Sequence, residues 1–197
     1  MLSDGYHDVP TGKVAAVVTE LDMRAPAPLR GRAAADGVSL RHVPAPDPGW
    51  YRALFTHVGQ DWLWFSRLRM PDAQLQAILA DPLVEVFAVE RDGRPQGLLE
   101  LDFRTDGECE LAYFGLGPAL VGSGTGAWLM DQAITMAWAR PIRRFHVHTC
   151  TLDHPSALGF YIRSGFTPTK RMVEIADDPR LSGVMPETCA PQIPILR

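Results

Sequence analysis

The stretch Glu108-Cys109-Glu110-Leu111-Ala112-Tyr113-Phe114-Gly115-Leu116, then Val121-Gly122-Ser123-Gly124-Thr125-Gly126, then Ala127 to Ala139, decides the reading of this chain. It runs as a strand, a short glycine-dense turn and a helix. In the helix, Met130, Ile134 and Ala137, with Leu129, Ala133 and Met136, form an apolar stripe opposite Asp131, Gln132 and Thr135, and Pro141 ends it. Glycines allow positive φ and close backbone approach, so successive N–H groups at the helix start can converge on one anion. A phosphate is the expected occupant. The P-loop class is excluded, because no Lys-Ser/Thr pair follows the glycines. A dinucleotide fingerprint can be written on Gly122-x-Gly124-x-x-Ala127, but about 20 residues further on stands Arg143 or Arg144 rather than an acid.

Upstream, Val84 to Glu90, Gln96 to Phe103 and Glu108 to Leu116 are apolar runs separated by Arg91-Asp92-Gly93 and Thr105-Asp106-Gly107. Asp-Gly between such runs is a hairpin signal, so the three strands should pair antiparallel. Before them, Trp50, Leu54 and Val58, then Leu75, Ile78 and Leu79, fall at helical spacing. Two helices are expected, parted near Met70-Pro71-Asp72, with Asp72 capping the second. Earlier still, Lys13 to Thr19 and Val38 to Val43 read as strands, joined by a Pro- and Ala-bearing connector over 24–32. Downstream, Phe145 to Cys150 is a strand, Pro155 to Ser164 a short helix closed by Gly165, and Arg171 to Ile175 a last strand. The expected division is a loose terminus over 1–12, one domain over 13–176 and a Pro-rich tail over 177–197. That tail ends in Ile193, Ile195 and Leu196, and should cover either a second copy, as in a homodimer, or its own sheet.

Composition sets the outer bounds. A chain of 197 residues, 46% hydrophobic and 21% charged, is long enough to bury a core without disulfide or metal staples. Cys109, Cys150 and Cys189 lack CxxC spacing and read as small reduced core residues. No apolar run approaches the ~18 residues that cross a bilayer, and the first residues have no basic and apolar leader pattern, so a cytoplasmic protein without a membrane partner is expected. A net charge of -4, with no Lys/Arg block, argues against a nucleic-acid partner.

From Glu110 through Phe166 the chain resembles the GNAT superfamily of N-acetyltransferases. The family's pyrophosphate loop, Arg/Gln-x-x-Gly-x-Gly/Ala, falls on Val121 to Gly126, where the Gly-x-Gly half is present and Val121 replaces the leading Arg/Gln. Its Asn-x-x-Ala-x-x-x-Tyr-x-x-x-Gly-Phe falls on His154 to Phe166, with only the Asn changed, to His154. The resemblance implies an α/β fold with a mixed, mostly antiparallel sheet flanked by helices and an N-terminal strand extension. The sheet would splay between the strand ending at Leu116 and the strand Phe145 to Cys150 to admit acetyl-CoA as co-substrate, with no metal. The pantetheine would pair with the strand edge at Leu116, while Val121, Gly122, Ser123, Gly124, Thr125 and Gly126 take the pyrophosphate and His154 lies beside it. The implied activity is acetyl transfer to an amine of a small molecule or peptide. A non-catalytic acyl-CoA-binding sensor or interaction module is the alternative, since Val121 and His154 depart from the pattern.

The same resemblance points the Tyr161 hydroxyl at the thioester sulfur, as a general acid that also binds the donor, and makes Glu110 the general base. Glu100 and Asp102 are rival bases, and Glu100 is also a candidate for the acceptor pocket. Trp62, Trp64 and Phe65 fall where such folds build that pocket, although one helix cannot point all three to one side. His146 and His148 share a strand face with a spacing that metal sites use, and His154 could be a third ligand. No acid or thiol is placed to complete the set, so a polar strand face near the opening is the better reading.

Overall fold

The computed structural model describes residues 3–197. Seven strands form one sheet in the order β2-β3-β4-β5-β6-β1-β7. They are β1 (Lys13–Met23), β2 (Val38–His42), β3 (Val84–Arg91), β4 (Arg94–Asp102), β5 (Glu108–Leu116), β6 (Arg144–Cys150) and β7 (Thr167–Asp177). The Asp-Gly turns give the expected antiparallel run β3-β4-β5, with Asp92 at φ 51° and Gly107 at φ 68°. All other pairings are antiparallel except β5 with β6.

The expected N-terminal strand is present as part of the sheet. β1 lies inside the sheet, paired to β6 on one side and to β7 on the other. Its length explains this: eleven residues, alternately buried up to Val18 and almost wholly buried beyond it, need a partner along both edges. β7 is correspondingly longer than the apolar run Arg171 to Ile175 suggested, because β1 supplies hydrogen bonds where the side chains are polar and exposed.

Helices cover both faces. On one, α1 (Pro48–Gly59), α2 (Ser66–Arg69) and α3 (Asp72–Leu79) pack Tyr51, Leu54, Phe55, Leu75 and Leu79 against Val84, Val86 and Leu98. On the other, α4 (Thr125–Trp138) and α5 (Ala157–Arg163) pack Leu129, Met130, Ile134 and Tyr161 against Leu21, Leu99, Leu111 and Val147. The expected two helices between 50 and 80 are three. α1 is capped by Asp47, whose Oδ1 accepts from Trp50 N at 2.9 Å. Asp72 does not cap α3. Pro71 holds that position without a side-chain bond, and the Asp72 carboxylate instead accepts from Arg52 Nη1 at 2.5 Å.

Asp131 is buried rather than solvated, since its carboxylate accepts from Arg30 N (3.1 Å) and Gly31 N (2.8 Å), pinning the connector after β1 onto α4. The tail folds onto its own domain. Arg180, 3% exposed, donates to Asp178 and to the carbonyls of Cys189, Ala190 and Ile193, and Met185, Cys189 and Ala190 pack with Val14 and Leu63. Of the terminus expected to be loose, residues 1–2 lie outside the described residues, and 3–12 reach β1 without helix or strand. Among the described residues no helix is long and apolar enough to cross a membrane.

Candidate active site

β5 and β6 pair only over Glu108–Glu110 and Arg144–His146. Beyond Glu110 a bulge interrupts the β4–β5 register, where Leu101 faces Leu111 and Glu100 faces Tyr113. The extra residue, Ala112, bends β5 away from β6. The sheet therefore splays where the family resemblance places its opening, and the β6-facing edge of β5 from Ala112 to Leu116 is left unpaired. A cavity of about 430 Å³ fills the gap, within the size range of small-molecule sites.

At one end of the cavity is the glycine turn. Gly122 and Gly124 have φ of 79° and 85°, a region that L side chains rarely adopt. The amides of Gly122, Gly124 and Gly126 make no backbone hydrogen bond among the described residues. Ser123 is exposed, but its Oγ turns back onto the loop, bonding Leu120 O (2.7 Å) and Thr125 Oγ1 (2.7 Å), which ties the turn together beside the buried Thr125. Leu116, Val121, Gly122 and Gly126 line the cavity, whereas Gly124 opens onto an adjoining groove with Arg30, Arg32, Ala127 and Arg163. Arg30 is held there over the Phe160 ring at 5.2 Å and by Ser164 Oγ at 2.8 Å. Nothing in the local pattern of 24–32 signalled this. The Asp131 anchor, about 100 residues away, creates it.

Tyr161 lines the cavity from α5, 7% exposed and packed among Phe114, Phe160 and Phe166. Its hydroxyl makes no hydrogen bond among the described residues, and burial pushes its pKa well above that of a free phenol. Trp62, Trp64 and Phe65 all line the opposite part of the cavity. The constraint of a single helix does not apply, because the chain leaves α1 through a 3-10 turn over Gln60–Trp62 and places Leu63 in the left-handed region at φ 51°. The buried Leu63 is braced by the tail. Trp64 Nε1 donates to Asp153 Oδ1, and the Trp62 and His154 rings meet edge to face at 5.0 Å, so His154 closes the cavity rim.

Glu100 does not reach the cavity. It is fully buried, with its carboxylate bonded by the Tyr51 hydroxyl and Arg67 Nη2. Burial raises its pKa, and the Arg67 and Tyr51 donors oppose that. Asp102 is likewise engaged by Arg104 through backbone N (2.9 Å) and Nε (3.0 Å). Glu110 has Oε1 3.4 Å from His148 Nδ1. That contact holds Glu110 below the usual carboxylate range and raises His148 above the ordinary imidazole value. His148 lines the cavity while Glu110 does not. Cys150 lines it as a free thiol, pushed up to about 11 by burial. Among the described residues no three His, Cys, Asp or Glu side chains gather to hold a metal. Tyr113, Ser66 and Glu174 also face the cavity, brought there by the bulge, by the short α2 and by the β1–β7 pairing, none of which local periodicity signals.

A model of the acetyltransferase (GNAT) family matches residues 51–166, more than half of the chain. No curated protein matches. Among solved structures, a GCN5-related N-acetyltransferase from Sphaerobacter thermophilus superposes with a TM-score of 0.65 at 16% identity, covering 88% of this chain and 53% of its own. A GCN5-related N-acetyltransferase from Kribbella flavida gives 0.51 at 18% identity, over 87% and 63%. An aminoglycoside acetyltransferase from an uncultured soil metagenomic sample, in complex with sisomicin, gives 0.55 at 14% identity, over 71% and 94%. At these identities the likeness is one of fold. The present chain spans about half the length of the Sphaerobacter protein.

Proposed function

The chain belongs to the acetyltransferase (GNAT) family, and from that premise we propose that it transfers the acetyl group of acetyl-CoA to an amine of a small molecule or peptide. The observation that carries this reading is the conjunction, around one cavity and the groove that adjoins it, of three unpaired glycine amides, a free β5 edge and the Tyr161 hydroxyl. Phosphate oxygens suit the amides of Gly122, Gly124 and Gly126 at the start of α4. The pantetheine amides suit the strand edge ending at Leu116. Val121 offers no side-chain N–H donor where the family has Arg or Gln, and Arg30, Arg32 and Arg163 around the neighbouring groove supply donors and positive charge instead. The catalytic domain spans 13–176, with the tail bracing Leu63.

The chemistry needs proximity and proton handling more than covalent help. A backbone N–H near Leu116 would meet the developing oxyanion. Tyr161 keeps its proton at any working pH, so it can only donate, and a thiolate leaving into the same dry pocket is made more basic by the same desolvation. Glu110 serves proton removal on the acceptor side. The acceptor's body would lie against Trp62, Trp64 and Phe65, with Glu174 lining the same cavity as a partner for its positive charge.

Acetyl-CoA at a hundredfold excess over Kd should stabilise the fold by about 2.7 kcal/mol in a thermal shift measurement, and free thiol should appear when an amine is added. Absence of the shift would sink the donor assignment. A shift without thiol release from any amine would favour the binding-module reading, which the exposed Val121 and the His154 replacement keep in view.

A further inference from the structure

We propose that His148 is the group that takes the proton from the acceptor amine, with Glu110 as its positioning residue; this rests on the acetyl-transfer reading above. Of the pair, only His148 lines the cavity that also holds Tyr161. Glu110 occupies the last β5 position still paired to β6, one step behind the opening. Its Oε1 lies 3.4 Å from His148 Nδ1. A carboxylate at that nitrogen favours the tautomer with the proton on Nδ1, which leaves the Nε2 lone pair as the acceptor. The imidazole is half exposed, 56% for the side chain, so it can return its proton to water between turnovers.

The surroundings favour an imidazole base that works near neutrality. Facing His148 are Glu110 from β5, Glu174 from β7 and Asp153 from the loop after β6; Glu20 of β1 stands opposite it in register, and Lys170 of β7 opposite Glu20. Along β6 its same-face neighbours are His146 and Cys150. The Glu110 carboxylate beside Nδ1, with Asp153 and Glu174 adding to it against the opposing effect of burial, raises the imidazole above its ordinary value, while Glu110 itself is held low.

The amine arrives neutral, having lost one proton to solvent, and its lone pair forms the C–N bond at the thioester carbon. As the adduct collapses, the second nitrogen proton passes to His148 Nε2. The C–S bond breaks, and the departing sulfur takes the Tyr161 hydroxyl proton. One proton then moves through water from the imidazolium to the tyrosinate, so amine plus thioester gives amide plus thiol.

The test follows thiol release from saturating acetyl-CoA with 2-phenylethylamine, whose apolar body matches the aromatic wall, from about pH 6 to about pH 9 across the imidazole range. His148→Gln should lower kcat about 100-fold, with the acetyl-CoA thermal shift unchanged, and should lose the rising limb of the pH profile. His148→Ala should regain part of the rate with added imidazole. Glu110→Gln removes the anion that raises the imidazole, so its limb should move to lower pH while rate persists at high pH. A wild-type kcat and profile in His148→Gln, with thermal shift and turnover intact, overturns this inference alone. An unmoved limb in Glu110→Gln overturns the positioning role. No thermal shift with the wild-type protein overturns the acetyl-CoA reading, and this inference with it.

Discussion

Trp64 Nε1 donates to Asp153 Oδ1 at 3.1 Å, joining the segment after α1 to the loop after β6 across the cavity. The other Asp153 oxygen accepts from Thr149 Oγ1 at 2.7 Å and Cys150 N at 2.8 Å, so one carboxylate ends β6 and fixes a pocket wall. Asp153→Ala leaves three donors without their partner. We expect a loss of about 2–3 kcal/mol in chemical denaturation, together with a raised KM for the amine. A loss in stability with an unchanged amine KM would separate the structural link from the pocket.

Gly124 has open space where a side-chain methyl would stand, so the penalty for substitution there is conformational, arising from φ 85° rather than from a clash. Gly124→Val forces a β-branched residue out of the left-handed region and turns the loop amides away from the phosphates. Affinity for acetyl-CoA should fall at least tenfold, with circular dichroism of the fold retained. Unchanged affinity by calorimetry would remove the phosphate assignment.

Arg30 and Arg32 border the groove beside Gly124, outside the glycine turn. If they bind the phosphate-rich end of CoA, the double variant Arg30→Ala/Arg32→Ala should weaken CoA by about tenfold and flatten its salt dependence. CoA and dephospho-CoA titrations locate the contact. Equal losses for both place it at the pyrophosphate, a loss for CoA alone places it at the ribose phosphate, and no loss discounts the groove.

Tyr161→Phe removes one hydroxyl and keeps the packing with Phe114, Phe160 and Phe166. Stability and acetyl-CoA affinity should stay near wild type, while kcat falls by about 100-fold if the hydroxyl protonates the leaving thiolate. A KM effect with kcat preserved would mean that it only binds the sulfur.

Burial raises the pKa of Tyr51, Tyr113 and Tyr161, three of the four tyrosines. In an alkaline titration followed by phenolate absorbance, these three should ionise later than the ordinary value of about 10. Tyr161 therefore contributes no falling limb to the rate at neutral or mildly alkaline pH. More than one phenol titrating at the ordinary value would contradict the burial.

The sequence by itself determined what rests on local chemistry. Asp92-Gly93 and Asp106-Gly107 set the β3-β4-β5 meander because their turns require positive φ, and Gly122 to Gly126 before an apolar stripe set the amide-bearing turn at α4. Helical spacing put Tyr161 on the packed face of α5 with Ala157, while its place at the cavity was implied only by the family resemblance and rests in the structure on the opening of β5 from β6. The tertiary structure decided what depends on partners far along the chain. Glu100, equal to Glu110 as a strand carboxylate in the sequence, is taken out of the site by Tyr51 and Arg67, 49 and 33 residues before it. The place of β1 between β6 and β7, the three aromatics turned together by Leu63 at φ 51°, and the approach of His148 to Glu110 arise from pairing and packing. Periodicity reports which face a side chain takes, but not what stands opposite it; in this protein the opposite partner selects the groups that line the cavity.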